Sequence, residues 1–265
     1  MQKFIHQFDD VTYTKESCAT IQSCIRVNDL DEVGDGTHLL YFNMLGLFSF
    51  RDLTLQEGID FWMKFLDTLG LYPDFVTIHP DKMDEWKQLY SAHPNMEIRK
   101  DPECMWSDGT HDSAYCTEFY IIKDGVDIEI GNIVNPCGDC IDAGFGLERL
   151  DALVNQHSYK NVEELYVEAI RRIIDSGYLP GNLKQGYVLR KLLRNLHKMN
   201  FVIHEDSVVY PFYVDEISRQ EKLQKKYDTM ITQTKYQTMP KEEWYSTYGI
   251  DLDTINTTDA SVAQT

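Results

Sequence analysis

The sequence predicts an α+β fold, with an antiparallel sheet flanked by helices over residues 1–157 and a smaller helical region over 158–265. Two observations carry this expectation. Between the strand-like runs "TEFYII" and "DIEIGNIV" lies Asp124-Gly125, the dipeptide of a two-residue type I′ hairpin turn. Strand signals concentrate before residue 150, whereas apolar residues beyond it recur at helical spacing.

Taken in order, residues 22–45 predict a first hairpin: a strand ending near Arg26, an acidic loop containing glycine, and a second strand through Phe42. Residues 55–69 predict a helix with Ile59, Trp62, Phe65, Leu66 and Leu69 on one face, Thr54 as its cap and Gly70 as its stop. In the Asp124-Gly125 hairpin, counting back from the turn pairs Lys123 with Val126, Tyr120 with Glu129 and Glu118 with Gly131. Glu118, Tyr120, Glu129 and Gly131 then share one sheet face, with the two glutamates diagonal neighbours roughly 7–8 Å apart at the backbone. Two carboxylates beside a glycine suit a divalent cation carrying phosphates; a solvent-facing acidic hairpin is the plainer reading. Residues 161–176 predict a helix ended by Gly177 and Pro180. A third helix runs from about Tyr187 to Lys198, with Leu189, Leu192, Leu193 and Leu196 inward and Arg190, Arg194 and Lys198 outward. From residue 254 the polar "TINTTDASVAQT" reads as a frayed tail.

The net charge of −18 is unevenly spread. Residues 1–150 hold 11 Lys+Arg against 27 Asp+Glu, residues 151–265 hold 14 against 16, and residues 176–200 carry five basic side chains and no acid. From charge alone, a basic face for RNA phosphate and an ordinary solvated helix face are equally open. No run approaches the length of a membrane span, "MQKFIHQFDD" has no apolar signal core, and six cysteines without a secretion signal point to reduced thiols in the cytoplasm. Cys137 and Cys140, with Cys104, Cys116 and His111 as conceivable partners, are read as ordinary thiols rather than as structural zinc ligands.

Five fragments in order, "CIRVNDLDEVG", "NMLGLFSF", "EIGNIV", "DAGFGLERL" and "GYVLRKLLRN", resemble the alanyl-tRNA synthetase family. That family joins a class II synthetase catalytic domain to a helical tRNA-recognition region. The resemblance runs to about residue 198 and resumes at "WYSTYGIDLD" (244–253). It implies ATP-dependent activation of alanine or another small amino acid as an aminoacyl-adenylate. The acyl group then passes to a tRNA end or to another acceptor such as a carrier protein or a small amine. A second reading is a non-catalytic paralogue that binds adenylate, amino acid or RNA as a regulator or complex subunit.

The resemblance also implies roles. Arg26 would bridge the amino-acid carboxylate and the α-phosphate, a task suited to a guanidinium fork. His38 and Phe42 fit the pattern of the second signature motif, with Phe42 stacking on adenine and Met44 near both the base and the amino acid. Arg149 would cover the other adenine face and reach the γ-phosphate. Asp142 would pair with the substrate ammonium group and Gly144 would let the substrate lie against backbone. Trp106 and Val134 would line the side-chain pocket. Glu118 and Glu129 match the acids near Mg2+, Asn182 matches an asparagine that approaches the tRNA acceptor stem, and Lys184, Arg190 and Arg194 would contact phosphates.

Departures from the family carry their own expectations. The resemblance starts where the first signature motif is ending, which leaves a sheet edge exposed or covered by a second copy in a homodimer. The loop of the second motif is short and lacks the family's arginine, with His38 as its partial substitute when protonated. Gly131, Ala143 and Phe145 replace tryptophan, threonine and methionine, so the pocket is expected to admit a side chain larger than methyl. The chain stops before the rest of the tRNA-recognition domain and the editing and oligomerisation domains.

Overall fold

A computed structural model describes residues 15–28, 30–106, 114–136, 138–159, 161–252 and 255. The tail from residue 256 lies outside them, as do His111 and Cys137. The chain divides at residue 160 into two compact units.

The first unit is built on one eight-stranded sheet. Its strands are β1 (Glu16–Ile25), β2 (Tyr41–Phe50), β3 (Phe75–Ile78), β4 (Glu97–Lys100), β5 (Met105–Trp106), β6 (Ala114–Lys123), β7 (Val126–Asn135) and β8 (Cys140–Gly146). The spatial order is β1-β2-β8-β7-β6-β3-β4, with β5 added to β6. Every pairing is antiparallel except β3 with β4. Among the described residues β1 lies at one end of this order.

Helix α1 (Leu55–Thr68) covers one face. Its start is fixed by a capping box: the Glu57 amide donates to Thr54 Oγ1 at 3.2 Å, and the Thr54 amide donates to the Glu57 carboxylate at 2.8 Å. An N-cap of this kind contributes about 1 kcal/mol. Its end is the left-handed Gly70. The stripe Ile59, Trp62 and Leu66 packs with Ile133, Ile141 and Phe145 from the sheet, and the Trp62 and Phe145 rings stack at 4.0 Å. Short helix α2 (Met83–Trp86), flanked by 3-10 turns, adds Trp86 and Tyr90 to this core. Helix α3 (Leu147–Val154) follows β8 directly.

The Asp124-Gly125 hairpin forms with the expected turn, and Lys123 faces Val126 and Tyr120 faces Glu129. A bulge then shifts the register between Phe119 and Tyr120. Glu118 therefore lies opposite Asn132, and Gly131 lies opposite Phe119. One extra residue on β7 turns Gly131 to the helix-covered face while Glu129 and Glu118 stay together on the other. This corrects the expected row, in which Gly131 stood beside the glutamates. It also corrects the enlarged pocket. A Cβ on Gly131 would stand 2.3 Å from the Phe145 ring, so the larger residue at 145 fills the space a side chain at 131 would take, on the core side of the sheet.

The second unit contains α4 (Val162–Asp175), α5 (Lys184–Lys198), α6 (Tyr210–Ile231), α7 (Thr234–Gln237) and α8 (Lys241–Tyr248). Asn161 caps α4, and α4 packs on α5 and α5 on α6. The four predicted leucines of α5 are all buried. Arg194 is buried with them at 7% exposure, because Glu216 of α6, itself 3% exposed, draws in Arg190 at 3.2 Å, Arg194 at 3.3 Å and Arg219 at 3.5 Å. An ionised carboxylate is tolerated at such depth only when paired, so Arg194 does not project outward as its spacing predicts. Tyr227, Trp244 and Ile250 form a further core in this unit.

Gly131→Ala is expected to destabilise the first unit by about 2–3 kcal/mol through overpacking. Adding Phe145→Met should restore part of that loss, because the ring contact goes while the 2.6 Å approach to the Gly144 carbonyl stays. Denaturant titration of the single and double variants measures both effects.

Candidate active site

The sheet face opposite α1 carries the chemistry-bearing residues in cross-strand rows. One row reads Cys116, Val134, Asp142 and Phe48 across β6, β7, β8 and β2. The next reads Glu118, Asn132, Gly144 and Gly46 across the same strands. Adjacent strands lie about 4.8 Å apart, so these rows bring residues distant in sequence onto one floor.

Arg26 and Arg149 line one cleft on this face, together with His38, Phe42, Met44 and Glu129. Gly144 and Gly146 form part of its floor. A Cβ on Gly144 would stand 2.9 Å from Met44 Sδ, so a side chain there would have to displace that thioether. Arg149 is aimed by main-chain acceptors: its Nη1 donates to the Glu129 carbonyl at 2.5 Å and its Nη2 to the Thr37 carbonyl at 3.4 Å, with the Glu129 carboxylate 3.7 Å away. The guanidinium thus ties β7 to the loop between β1 and β2.

That loop has an organiser the sequence reading missed. Asp35 accepts from the amides of Thr37 and His38 at 2.7 and 2.9 Å and meets His38 Nδ1 at 2.7 Å. Partial burial opposes its charge, but these hydrogen bonds win and hold its carboxyl down at about 2. His38 Nε2 meets Glu32 at 3.0 Å, so both ring nitrogens are engaged by carboxylates of the loop itself. Glu148 was also missed. It accepts from the Asn43 amide at 2.8 Å and from Asn43 Nδ2 at 2.7 Å, clamping the start of α3 to β2. The signal was its place in "GLER", beside the arginine.

Asp142 is 8% exposed, and its Oδ2 has no hydrogen-bond partner. Burial alone pushes its carboxyl up to about 6. Val134 stands directly opposite it across β7 and clusters with Cys104, Ala114, Cys116 and Trp106. The structure therefore brings Asp142, Val134 and Trp106 to one region of the face. Glu118 adjoins them. Burial and the charge of Glu129 raise its pKa, against a 2.7 Å hydrogen bond from Tyr120. Glu118 and Glu129 share the face.

In the second unit Asn182 and Lys184 lie at the start of α5, and Arg190, near its middle, donates to the Asn182 side chain. Cys140 is buried with Phe48 and Phe50, apart from Cys104 and Cys116. No described helix is long and apolar enough to cross a membrane.

Residues 1–133 match the family model described as tRNA synthetases class II (A). The alanine–tRNA ligase of Chlamydia muridarum (strain MoPn / Nigg) is 30% identical over 266 residues, covering 72% of this chain and 30% of that protein. The alanine–tRNA ligase of Prochlorococcus marinus (strain MIT 9211) is 26% identical over 264 residues, covering 74% of this chain and 29% of that protein. The chain thus spans about 30% of the length of the curated relatives it matches. Among solved structures, apo histidyl-tRNA synthetase of S. aureus aligns at a TM-score of 0.41 with 10% identity, covering 72% of this chain and 70% of that one.

The raised pKa of Asp142 has a definite sign in stability. Between its unfolded value near 3.8 and its folded value near 6 the native state holds a proton that the unfolded state has lost, so stability falls as pH rises through that window. Above it the cost is constant, about 3 kcal/mol. Asp142→Asn should melt like the parent at pH 4 and gain stability over it up to about pH 6. Thermal unfolding across that range measures the difference.

Proposed function

The chain belongs to the class II tRNA synthetases, and from that premise we propose that it activates alanine or another small amino acid with ATP. The observation that carries this reading is the buried Asp142 carboxylate with an unpartnered oxygen, on the sheet face that also bears a cleft lined by two arginines. A buried anion of this kind is costly until a cation meets it, and the α-ammonium group of an amino acid is such a cation.

With the amine on Asp142, the substrate side chain rests over Val134 toward Trp106, and its carboxylate points along the glycine floor toward Arg26. ATP lies in the cleft, its adenine by Phe42 and Met44 and its phosphates toward Arg149. An oxygen of the amino-acid carboxylate bonds to the α-phosphorus, the bond from that phosphorus to the bridging oxygen breaks, and pyrophosphate leaves. Little acid–base work is needed, so the protein contributes placement and positive charge. Arg26 serves the two reacting groups at once, and Arg149 stabilises the leaving phosphates. Mg2+ held by Glu129, with Glu118 beside it, would offset the triphosphate charge.

The acyl group passes to a tRNA end or to another nucleophile such as a carrier protein or a small amine. Asn182, Lys184 and Arg190 support the tRNA acceptor. Arg194 can contribute only through Arg190 and Glu216, since it is buried among them. A second copy of the chain seated along β1 would cover that edge.

One observation favours the rival reading of a non-catalytic binder. His38 stands where the loop would need a cation for ATP, yet Asp35 and Glu32 already engage both its nitrogens.

Amino-acid-dependent exchange of pyrophosphate into ATP is the test. Exchange is expected with a small amino acid and should fall at least about 1,000-fold in Asp142→Ala and in Arg26→Ala. Folded protein that shows no exchange with any amino acid, yet binds a non-hydrolysable aminoacyl-adenylate analogue by calorimetry, establishes the rival.

A further inference from the structure

Cys104, Cys116 and Glu118 meet beside Val134 on the sheet face that carries Asp142. One ligand atom from each, the two Sγ atoms and a carboxylate oxygen, lie within 4.8 Å of one another. This spread suits three corners of a tetrahedron around a zinc-class ion, whose bonds are about 2.3 Å to sulfur and 2.0–2.2 Å to oxygen. Both cysteines are buried and free, in an apolar cluster with Ala114, Val134 and Trp106.

The donors are also held from outside. Cys104 Sγ lies 2.9 Å from Thr77 Oγ1, and Tyr120 Oη donates to Glu118 Oε2 at 2.7 Å. Such outer partners fix ligand orientation in metal centres. The backbone supports the same convergence. Cys116 and Glu118 are alternate residues of β6 on one face, and Cys104 precedes the short strand β5 that pairs with β6. The Cys104 carbonyl accepts from the Cys116 amide at 3.0 Å, which locks the two sulfur-bearing residues side by side.

We propose that Cys104, Cys116 and Glu118 form a binding site for a zinc-class divalent cation, with its fourth position open toward the substrate side chain. The position follows from the cross-strand row: Cys116 faces Val134, and Val134 faces Asp142. An amino acid whose amine sits on Asp142 extends over Val134 toward the cation. The substrate class is therefore a small amino acid with a hydroxyl, thiol or amine able to complete the tetrahedron. Three protein ligands with one open position is the arrangement of metal sites that handle a substrate, and four protein ligands that of purely structural ones.

The Cys104 neighbour, burial and nearby acids all raise the Cys116 pKa. A coordinated thiol is deprotonated outright, so loading releases protons and weakens as pH falls. Glu118 then serves this cation, and Glu129 with the phosphates suffices for Mg2+, which needs as few as one carboxylate. The role in choosing a substrate rests on the proposed amino-acid activation; the metal site itself does not.

The test uses the whole chain, purified under reducing conditions. Bound zinc should approach one per chain, and replacement by Co2+ should give thiolate-to-cobalt charge transfer with tetrahedral ligand-field bands. Cys104→Ser and Cys116→Ser should each weaken Co2+ binding by more than about 100-fold, beyond the loss typical of an outer-shell partner. Should a serine variant fail to fold, the parent protein still decides: X-ray absorption at the zinc edge should show two sulfur ligands at about 2.3 Å. No retained metal, a metal without sulfur ligands, or a disulfide joining Cys104 to Cys116 overturns the site. Pyrophosphate exchange by zinc-free protein with Mg2+ present overturns the role in choosing a substrate and leaves amino-acid activation standing. Metal loading without exchange overturns that activation and leaves the metal site standing.

Discussion

A carboxylate buried in an apolar setting with an oxygen unpartnered is an unstable arrangement for a folded chain, and Asp142 is such a group. The sheet maintains it by geometry. On either side Val134 and Phe48 face it from neighbouring strands, neither able to donate a hydrogen bond from its side chain. On the proposed function that cost is one half of a binding interaction, and stability given up in the empty protein would reappear as affinity for an ammonium group.

The division of the sheet into two faces organises the rest. One face takes α1 and fills with Ile59, Trp62, Leu66, Ile133, Ile141 and Phe145. The other carries glycines, carboxylates and arginines. A single inserted residue in β7 decides which residues fall on which face, because beyond the bulge the alternation of side chains is reset. Gly131 thereby belongs to the core, where the Phe145 ring occupies its side-chain space. The change of residue types at 131 and 145 is thus a repacking of the helix-covered side.

Much of this was legible in the sequence, for reasons that differ by element. The Asp124-Gly125 turn fixed the near half of its hairpin because turn chemistry is local. The capping box and apolar stripe of α1 were readable for the same reason, as were the leucines of α5. The bulge was not readable, since nothing in "DIEIGNIV" marks Ile130 as the extra residue. Arg194 misled because its spacing says exposed while its partner, Glu216, lies 22 residues away on a helix, α6, that the sequence reading did not foresee. Within the cleft, the convergence of Arg26, Phe42, Met44, Gly144 and Arg149 followed from resemblance to a known family. The grouping of Cys104 with Cys116 and Glu118 did not, because it depends on β5 pairing with β6, a contact made by only two residues of β5.

The ionisation of Asp142 offers the most direct test of the central claim, that this carboxylate waits for an amine. A carbon-13 titration of its carboxyl group in the free protein should give a midpoint near 6. With a non-hydrolysable aminoacyl-adenylate analogue bound, the ammonium partner should pull that midpoint below the ordinary aspartate value of about 3.9. An unchanged midpoint with the analogue bound would contradict the account, for the ligand would then sit in the cleft without touching the residue the fold holds ready for it.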